Sequence, residues 1–190
     1  MQTLIDAIKR FVSLTDEDID VIEQLFVKKE LKENERLLTE GEVCKEFVFV
    51  EKGLLRHCVN NDGKEVTFFF SAENEFVCDF ESFIHRTPSK KTFYALEDTV
   101  VYTISYNNMQ LFYKKVSTGE RFGRLYLEMT FAKAINHIVT TFTATAEQRY
   151  LNFLSDFRHI QQRIPQYYIA SFIGVTPQSL SRIRREMCKV

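Results

Sequence analysis

Gln166-Tyr167-Tyr168-Ile169-Ala170-Ser171-Phe172-Ile173-Gly174-Val175-Thr176-Pro177-Gln178-Ser179-Leu180-Ser181-Arg182-Ile183-Arg184-Arg185 is the stretch that decides how the chain is read. It fits two short helices joined by a tight turn. Pro165 suits the first turn of the first helix, where its missing N–H costs nothing. Ala170 is small where the helices must approach closely, and Gly174 stands where the chain leaves the first helix and needs a left-handed φ. Thr176 can cap the second helix, with Pro177 at its first position. Ile169, Ile173, Val175, Leu180 and Ile183 supply the inward faces. Outward on the second helix stand Gln178, Ser179, Ser181, Arg182, Arg184 and Arg185. Glutamine can bond adenine in two places and arginine guanine, while arginine and serine also hold phosphates. The pattern predicts a helix-turn-helix that reads a major groove, with Gln178 and Arg182 on base edges and Ser179, Ser181, Arg184 and Arg185 on phosphates.

Working back toward the start, a second capping sequence, Thr145-Ala146-Glu147-Gln148, restarts a helical pattern with Tyr150, Leu151, Leu154 and Phe157 on its apolar face. Thr143 to Thr145 therefore reads as a hinge. Before it, Ser117-Thr118-Gly119-Glu120 has the form of a capping box that opens a long helix. Its apolar residues, Phe122, Leu125, Leu127, Met129, Phe131, Ile135, Ile138, Val139 and Phe142, cover most of the circumference. Such a helix must be buried on two sides. The strand region of its own chain covers one, and the same helix of a second subunit is the simplest cover for the other, giving an isologous dimer.

From about Val27 to Tyr106 short β-rich runs alternate with turns: Leu37-Leu38, Phe47 to Val50, Leu54 to Val59, Val66 to Phe70, Thr92 to Leu96 and Val100 to Ile104. Asp62-Gly63 is a type I′ hairpin signal. Many short strands separated by tight turns point to a β-sandwich or a jelly-roll barrel. Ahead of them, Thr15 with Asp18 caps a helix carrying Ile19, Ile22, Leu25 and Phe26.

Composition bounds the remaining possibilities. The 190 residues are 45% hydrophobic and 27% charged, with 18 Phe and 8 Tyr but no Trp, enough for an aromatic core that excludes disorder over most of the length. No apolar run approaches a membrane span, and the start carries Asp6, Lys9 and Arg10 within its apolar pattern, unlike a signal peptide. A cytoplasmic chain with no membrane partner is expected. Net charge is −1 overall, but residues 144–190 carry +4 and the rest −5. A basic tail on an acidic body favours a polyanionic partner. Cys44, Cys58, Cys78 and Cys188 are scattered, without a C-x-x-C pair, and read as incidental thiols in a reducing compartment. The histidines, His57, His85, His137 and His159, show no metal-ligand spacing, so no metal site is expected and a cupin-like metalloenzyme lacks a ligand set.

In element order and size, the chain resembles the Crp/Fnr transcription regulators. The resemblance rests on the Glu40-Gly41-Glu42 turn, Phe47 to Gly53, the Ile104-Ser105-Tyr106 exit from the strands, and Thr176 to Arg185. It implies an α+β chain of three parts: a double-stranded β-helix (jelly-roll) sensor domain at 1–116, a dimerisation helix at 117–143 and a helix-turn-helix domain at 144–190. It further implies a homodimeric regulator that binds inverted-repeat half-sites in double-stranded DNA through Thr176, Gln178, Ser179, Ser181, Arg182, Arg184 and Arg185, and that contacts RNA polymerase. In that family the sensor often takes cyclic AMP through a Gly-Glu pair and, about ten residues on, an arginine for the cyclic phosphate. The corresponding pocket here comprises Phe76, Cys78, Asp79, Ser89, Lys90 and Lys91, with Asn136 and His137 either facing it or packing at the helix interface. Cys78 replaces the glycine, Asp79 shortens the glutamate, and Ser89 stands in place of the arginine. Without that bidentate partner no tight cyclic AMP binding is expected. The effector is another molecule or none, and no cofactor is implied. No cysteine precedes Cys44, which disfavours an Fnr-type Fe–S cluster, and haem ligation by His57 or His85 has no supporting motif. Met187 to Val190 is too short for the family's β-hairpin wing. An alternative is a ligand-binding or protein-interaction module that has lost DNA binding.

Overall fold

The computed structural model describes residues 1–187; Cys188 and the end of the wing segment lie outside the described residues. Two helices, α1 (Gln2–Lys9) and α2 (Asp16–Leu25), precede the strands. Sequence reading anticipated only the second. In α2, Thr15 accepts from the Asp18 N–H while the Asp18 carboxylate accepts from the Thr15 N–H, so the expected box is complete.

Eight antiparallel strands follow: β1 (Val27–Leu31), β2 (Arg36–Leu38), β3 (Glu46–Lys52), β4 (Leu55–Asn61), β5 (Lys64–Ser71), β6 (Phe76–Val77), β7 (Lys91–Ala95) and β8 (Thr99–Ser105). They form two four-stranded sheets, ordered β1-β8-β3-β6 and β2-β7-β4-β5. This is the expected jelly roll. The β4–β5 hairpin turns on Asp62 and Gly63, both at positive φ (52° and 81°), as a type I′ turn demands. A short helix, α3 (Phe80–His85), interrupts the strands between β6 and β7, and α4 (Tyr106–Lys115) leaves the last strand behind a Ser105 cap. Neither helix was anticipated, because α3 is under two turns long and α4 continues a strand without a break in composition.

The long helix, α5, spans Gly119–Thr143. Its N-terminus corrects one reading. Ser117 does not cap α5; the cap residue is Thr118, which makes no side-chain cap bond. Instead the Ser117 N–H and hydroxyl donate to the Asp18 carboxylate at 2.6 and 2.7 Å, joining α5 to α2 across 99 residues. Burial alone would raise the Asp18 carboxyl. The hydrogen bonds from Ser117 and Thr15 outweigh it and hold the group below its ordinary value. The first turns of α5 are buried through Phe122, Gly123 and Tyr126. Phe122 and Tyr126 join an aromatic core with Phe11, Phe47, Phe76 and Phe112, their rings 5.3–6.1 Å apart.

Beyond α5 the helical head comprises α6 (Ala146–Asp156), a 3₁₀ turn (Gln161–Arg163), α7 (Gln166–Phe172) and α8 (Pro177–Met187). Ala144 is extended and breaks α5 from α6 where the hinge was read. Thr145 caps α6 by accepting from the Gln148 N–H.

Asp18→Ala removes the carboxylate half of the Thr15 capping box and strands the Ser117 donors. It is expected to lower the free energy of unfolding by about 2 kcal/mol, measured by urea titration. A loss below about 0.5 kcal/mol would contradict this role for the carboxylate.

Candidate nucleic-acid interface and sensor cavity

The head folds around Ile164, Ile169, Ala170, Ile173, Leu180 and Ile183, all buried. Gly174 takes φ +71° in the turn, and the N–H groups of Gly174 and Val175 close the end of α7 on Ser171 and Ala170 carbonyls. Thr176 then starts α8, accepting from the Ser179 N–H at 3.2 Å and donating to the Ser179 hydroxyl at 3.0 Å. These two side chains are therefore committed to the start of the helix.

Leu180 and Ile183 face inward, which fixes what faces out. Gln178, Ser181, Arg182, Arg184 and Arg185 are all exposed. Gln178, Ser181, Arg182 and Arg185 fall at i, i+3, i+4 and i+7, one continuous stripe. Arg184 stands to its flank, donating to Gln166 Oε1 at 2.5 Å, and Ser181 donates back to the Pro177 carbonyl. The stripe presents amide, hydroxyl and two guanidinium groups to solvent.

The head is seated on the jelly roll of its own chain. Phe70 of β5 packs against Phe153, Phe157 and Phe172 at 5.7–6.3 Å. The Thr67 N–H on this edge strand donates to the Ser171 hydroxyl of α7 at 2.9 Å. Arg56, 2% exposed, donates to Thr67 and Glu65 and lies 3.9 Å from the centroid of the Tyr168 ring. Arg163 binds Glu73 through two nitrogens at 2.9 and 3.0 Å and Glu97 at 2.5 and 3.2 Å. These hydrogen bonds push its already high pKa further up. None of these seating contacts was visible in sequence, since the partners lie 9 to 112 residues apart.

The residues expected to form one effector pocket separate into three places. Cys78 lines a cavity of about 520 Å³ in the jelly roll, with Leu38, Cys44, Glu46, Val48 and Phe93 among its walls. Asp79 is buried beside it and accepts from Lys91 Nζ at 2.5 Å and from the Ser89 hydroxyl at 2.7 Å, while Lys90 is exposed. Phe76 belongs to the aromatic core, where its carbonyl accepts from the Tyr126 hydroxyl at 2.9 Å. Asn136 and His137 line a different cavity, of about 420 Å³, between α5, β5 and the head, shared with Glu75, Lys133 and Arg149. Burial there holds the His137 imidazole below its ordinary value.

His57 and His85 part company too. His85 is exposed at the end of α3, whereas His57 is enclosed by Phe68, Phe69 and Phe93, with no partner for Nε2 among the described residues. Among the described residues, no group of three or more His, Cys, Asp or Glu side chains converges to hold a metal ion. No described helix is long and apolar enough to cross a membrane.

Residues 28–115 match the family model of the cyclic nucleotide-binding domain. No curated protein matches the chain. Solved structures do. The catabolite activator protein of Thermus thermophilus is 15% identical, with a TM-score of 0.60 over 94% of this chain and 86% of that one. The c-di-GMP-responsive global regulator CLP of Xanthomonas campestris gives 13% identity and a TM-score of 0.70 over 90% and 91%. FixK2 of Bradyrhizobium japonicum gives 17% and 0.69 over 86% and 85%. At these identities the likeness is one of fold. It extends through jelly roll, long helix and head.

Burial pulls the His57 imidazole down to about 3, with the Lys91 charge a lesser cause. Its folded pKa lies below its unfolded value near 6.5, so its contribution is intact above that pH. It is lost as pH falls toward 3, at about 1.4 kcal/mol per pH unit. His57→Phe is expected to flatten the acid limb of stability by that slope, measured by urea titration between pH 7 and pH 4. An unchanged slope would show that His57 does not stay neutral in the fold.

Proposed function

We propose that this chain, which has the Crp/Fnr regulator fold with a cyclic nucleotide-binding-type domain at residues 28–115, is a homodimeric, sequence-specific DNA-binding transcription regulator. The observation that carries the reading is the solvent-facing stripe of Gln178, Ser181, Arg182 and Arg185 on a helix whose opposite face is locked into the head. Gln178 and Arg182 meet base edges. Arg184, Arg185, Ser181 and Ser179 hold phosphates, with Thr176 fixing the start of α8. The +4 charge of residues 144–190 supplies the attraction to the duplex.

Pairing runs through α5. From Leu127 onward the helix leaves its own core, and Phe131 and Phe142 are 69% and 84% exposed. Ile135, Ile138 and Val139 are exposed between them. A second copy of the helix covers this surface and sets two heads about a two-fold axis, so that two α8 helices enter successive major grooves about 34 Å apart. RNA polymerase is the expected partner at the promoter.

The sensor does not depend on cyclic AMP. Asp79 already neutralises Lys91 and engages Ser89 where the cyclic phosphate would need an open cation, and Ser89 itself stands where the family has its arginine. Another effector, or none, sets the activity. Its signal has a direct path, because β6 runs directly into Cys78 and its Phe76 packs on Phe122 and Tyr126 of α5. Work in a cytoplasmic compartment accords with this reading.

Selection from a randomised duplex pool tests it. Inverted repeats are expected to be enriched, with affinity falling as salt rises. Arg182→Ala is expected to cost about 1–3 kcal/mol and relax selectivity at one position of each half-site. Arg185→Ala is expected to weaken all duplexes alike and lower the salt slope by about 1. A pool without enrichment would overturn DNA reading and leave an interaction module.

A further inference from the structure

Two thiols share the jelly-roll cavity, and the DNA-binding reading uses neither. Cys44 precedes β3, and its N–H donates to the Ser82 hydroxyl of α3 at 2.8 Å. Cys78 follows β6 and leads directly into Asp79 and α3. Both line the same cavity of about 520 Å³, where the Cys44 thiol donates to the Glu46 carbonyl at 3.4 Å. Cys44 itself is buried, so a reagent reaches it through the cavity, where Cys78 is partly exposed. The walls include Leu37, Val43, Val48 and Phe93, with the charged Glu42, Lys45 and Glu46 beside them. Such a space admits a small, partly polar molecule.

We infer that Cys44 and Cys78 form a reactive dithiol in the sensor cavity, and that a hydroperoxide entering it converts the pair to an intrachain disulfide. Cys44 attacks. The Cys78 thiol beside it is the largest influence on Cys44 and favours the thiolate, drawing Cys44 down to about 7 against the opposing effect of burial. Burial pushes Cys78 strongly up, so it stays protonated and waits as the resolving thiol. The Cys44 sulfur takes the terminal oxygen of the hydroperoxide, becoming a sulfenic acid while the O–O bond breaks and an alcohol leaves. Cys78 then attacks that sulfur, the S–S bond forms, and the hydroxyl departs as water with the Cys78 proton. Two thiols and one hydroperoxide give one disulfide, one alcohol and one water. A reducing dithiol reverses the change.

Cys58 provides an internal control. It is buried, donates to the Thr92 carbonyl, and burial raises it to about 11. It should therefore stay reduced. The bridge would also tie the β2–β3 turn to the segment that follows β6, whose Phe76 rests against α5.

The test is treatment of the folded, full chain carrying Cys188→Ser with tert-butyl hydroperoxide, followed by alkylation and peptide mapping. The expected product is a Cys44–Cys78 disulfide formed at least about tenfold faster than any modification of Cys58, and reversed by dithiothreitol. In Cys78→Ser, which keeps a hydroxyl donor beside Cys44 but cannot resolve it, the expected product is a persistent Cys44 sulfenic acid, trapped by dimedone. Since this second variant keeps Cys44 and its Ser82 contact, it separates reactivity from any folding defect of a Cys44 variant. Equal reactivity of Cys44 and Cys58, or a product joining two chains, would overturn the inference. Neither measurement involves DNA, so their failure would leave the regulator reading in place, and failure of that reading would leave the dithiol.

Discussion

The second half of α5 exposes an apolar surface that no other described residue of its own chain covers. Buried by the jelly roll through Tyr126, the helix then carries Leu127, Met129, Phe131, Ile135, Ile138, Val139 and Phe142 into solvent. At about 1.5 Å per residue this stretch spans roughly 25 Å, and a contiguous apolar patch of such length marks an interface. The proposed pairing of two helices follows from it, as do the two-fold relation of the heads and the spacing of their recognition helices. A mostly polar α5 would leave the same head with a single reading helix and little selectivity.

The head is coupled to the sensor by contacts of two kinds. The aromatic cluster of Phe70 with Phe153, Phe157 and Phe172 supplies area, and area is insensitive to small displacements. Directional contacts set the register: Arg163 between Glu73 and Glu97, Arg56 against Tyr168, and Ser171 on the edge of β5. Arg163 is only partly buried, so each of its ion pairs is weak, and its value lies in holding two strand ends with one bidentate fork. An effector or bridge in the cavity would act on the other end of the same domain. From there β6 passes displacement to α5 through Phe76, Phe122 and Tyr126. Sensor and head thus meet twice, once directly and once through the helix.

Local signals in the sequence translated well. Asp62-Gly63 turned where two positive φ values are needed, Thr15 and Asp18 closed their box, and Gly174 made the turn between α7 and α8. Each depends on a few adjacent residues, which is what a sequence displays. Ser117 looked equally local and was not, because a carboxylate at Asp18 outcompetes the α5 N-terminus for its hydroxyl. β1 escaped notice because Lys28, Lys29 and Glu30 mask its alternation, as suits an edge strand that must not recruit others. The pocket residues were legible as a list but not as a place. Phe76, Asp79 and Asn136 are distributed by long-range packing among a core, an ion pair and a second cavity. Cys44, the second thiol of the cavity, carried no signal at all, being remote in sequence from Cys78.

Mass in solution tests the pairing of α5 most directly. Sedimentation equilibrium is expected to return twice the 22.4 kDa chain mass at micromolar concentration, and about one chain mass after Phe131→Asp with Phe142→Asp. A native chain that sediments as a single 22.4 kDa species, with or without duplex DNA, would contradict it.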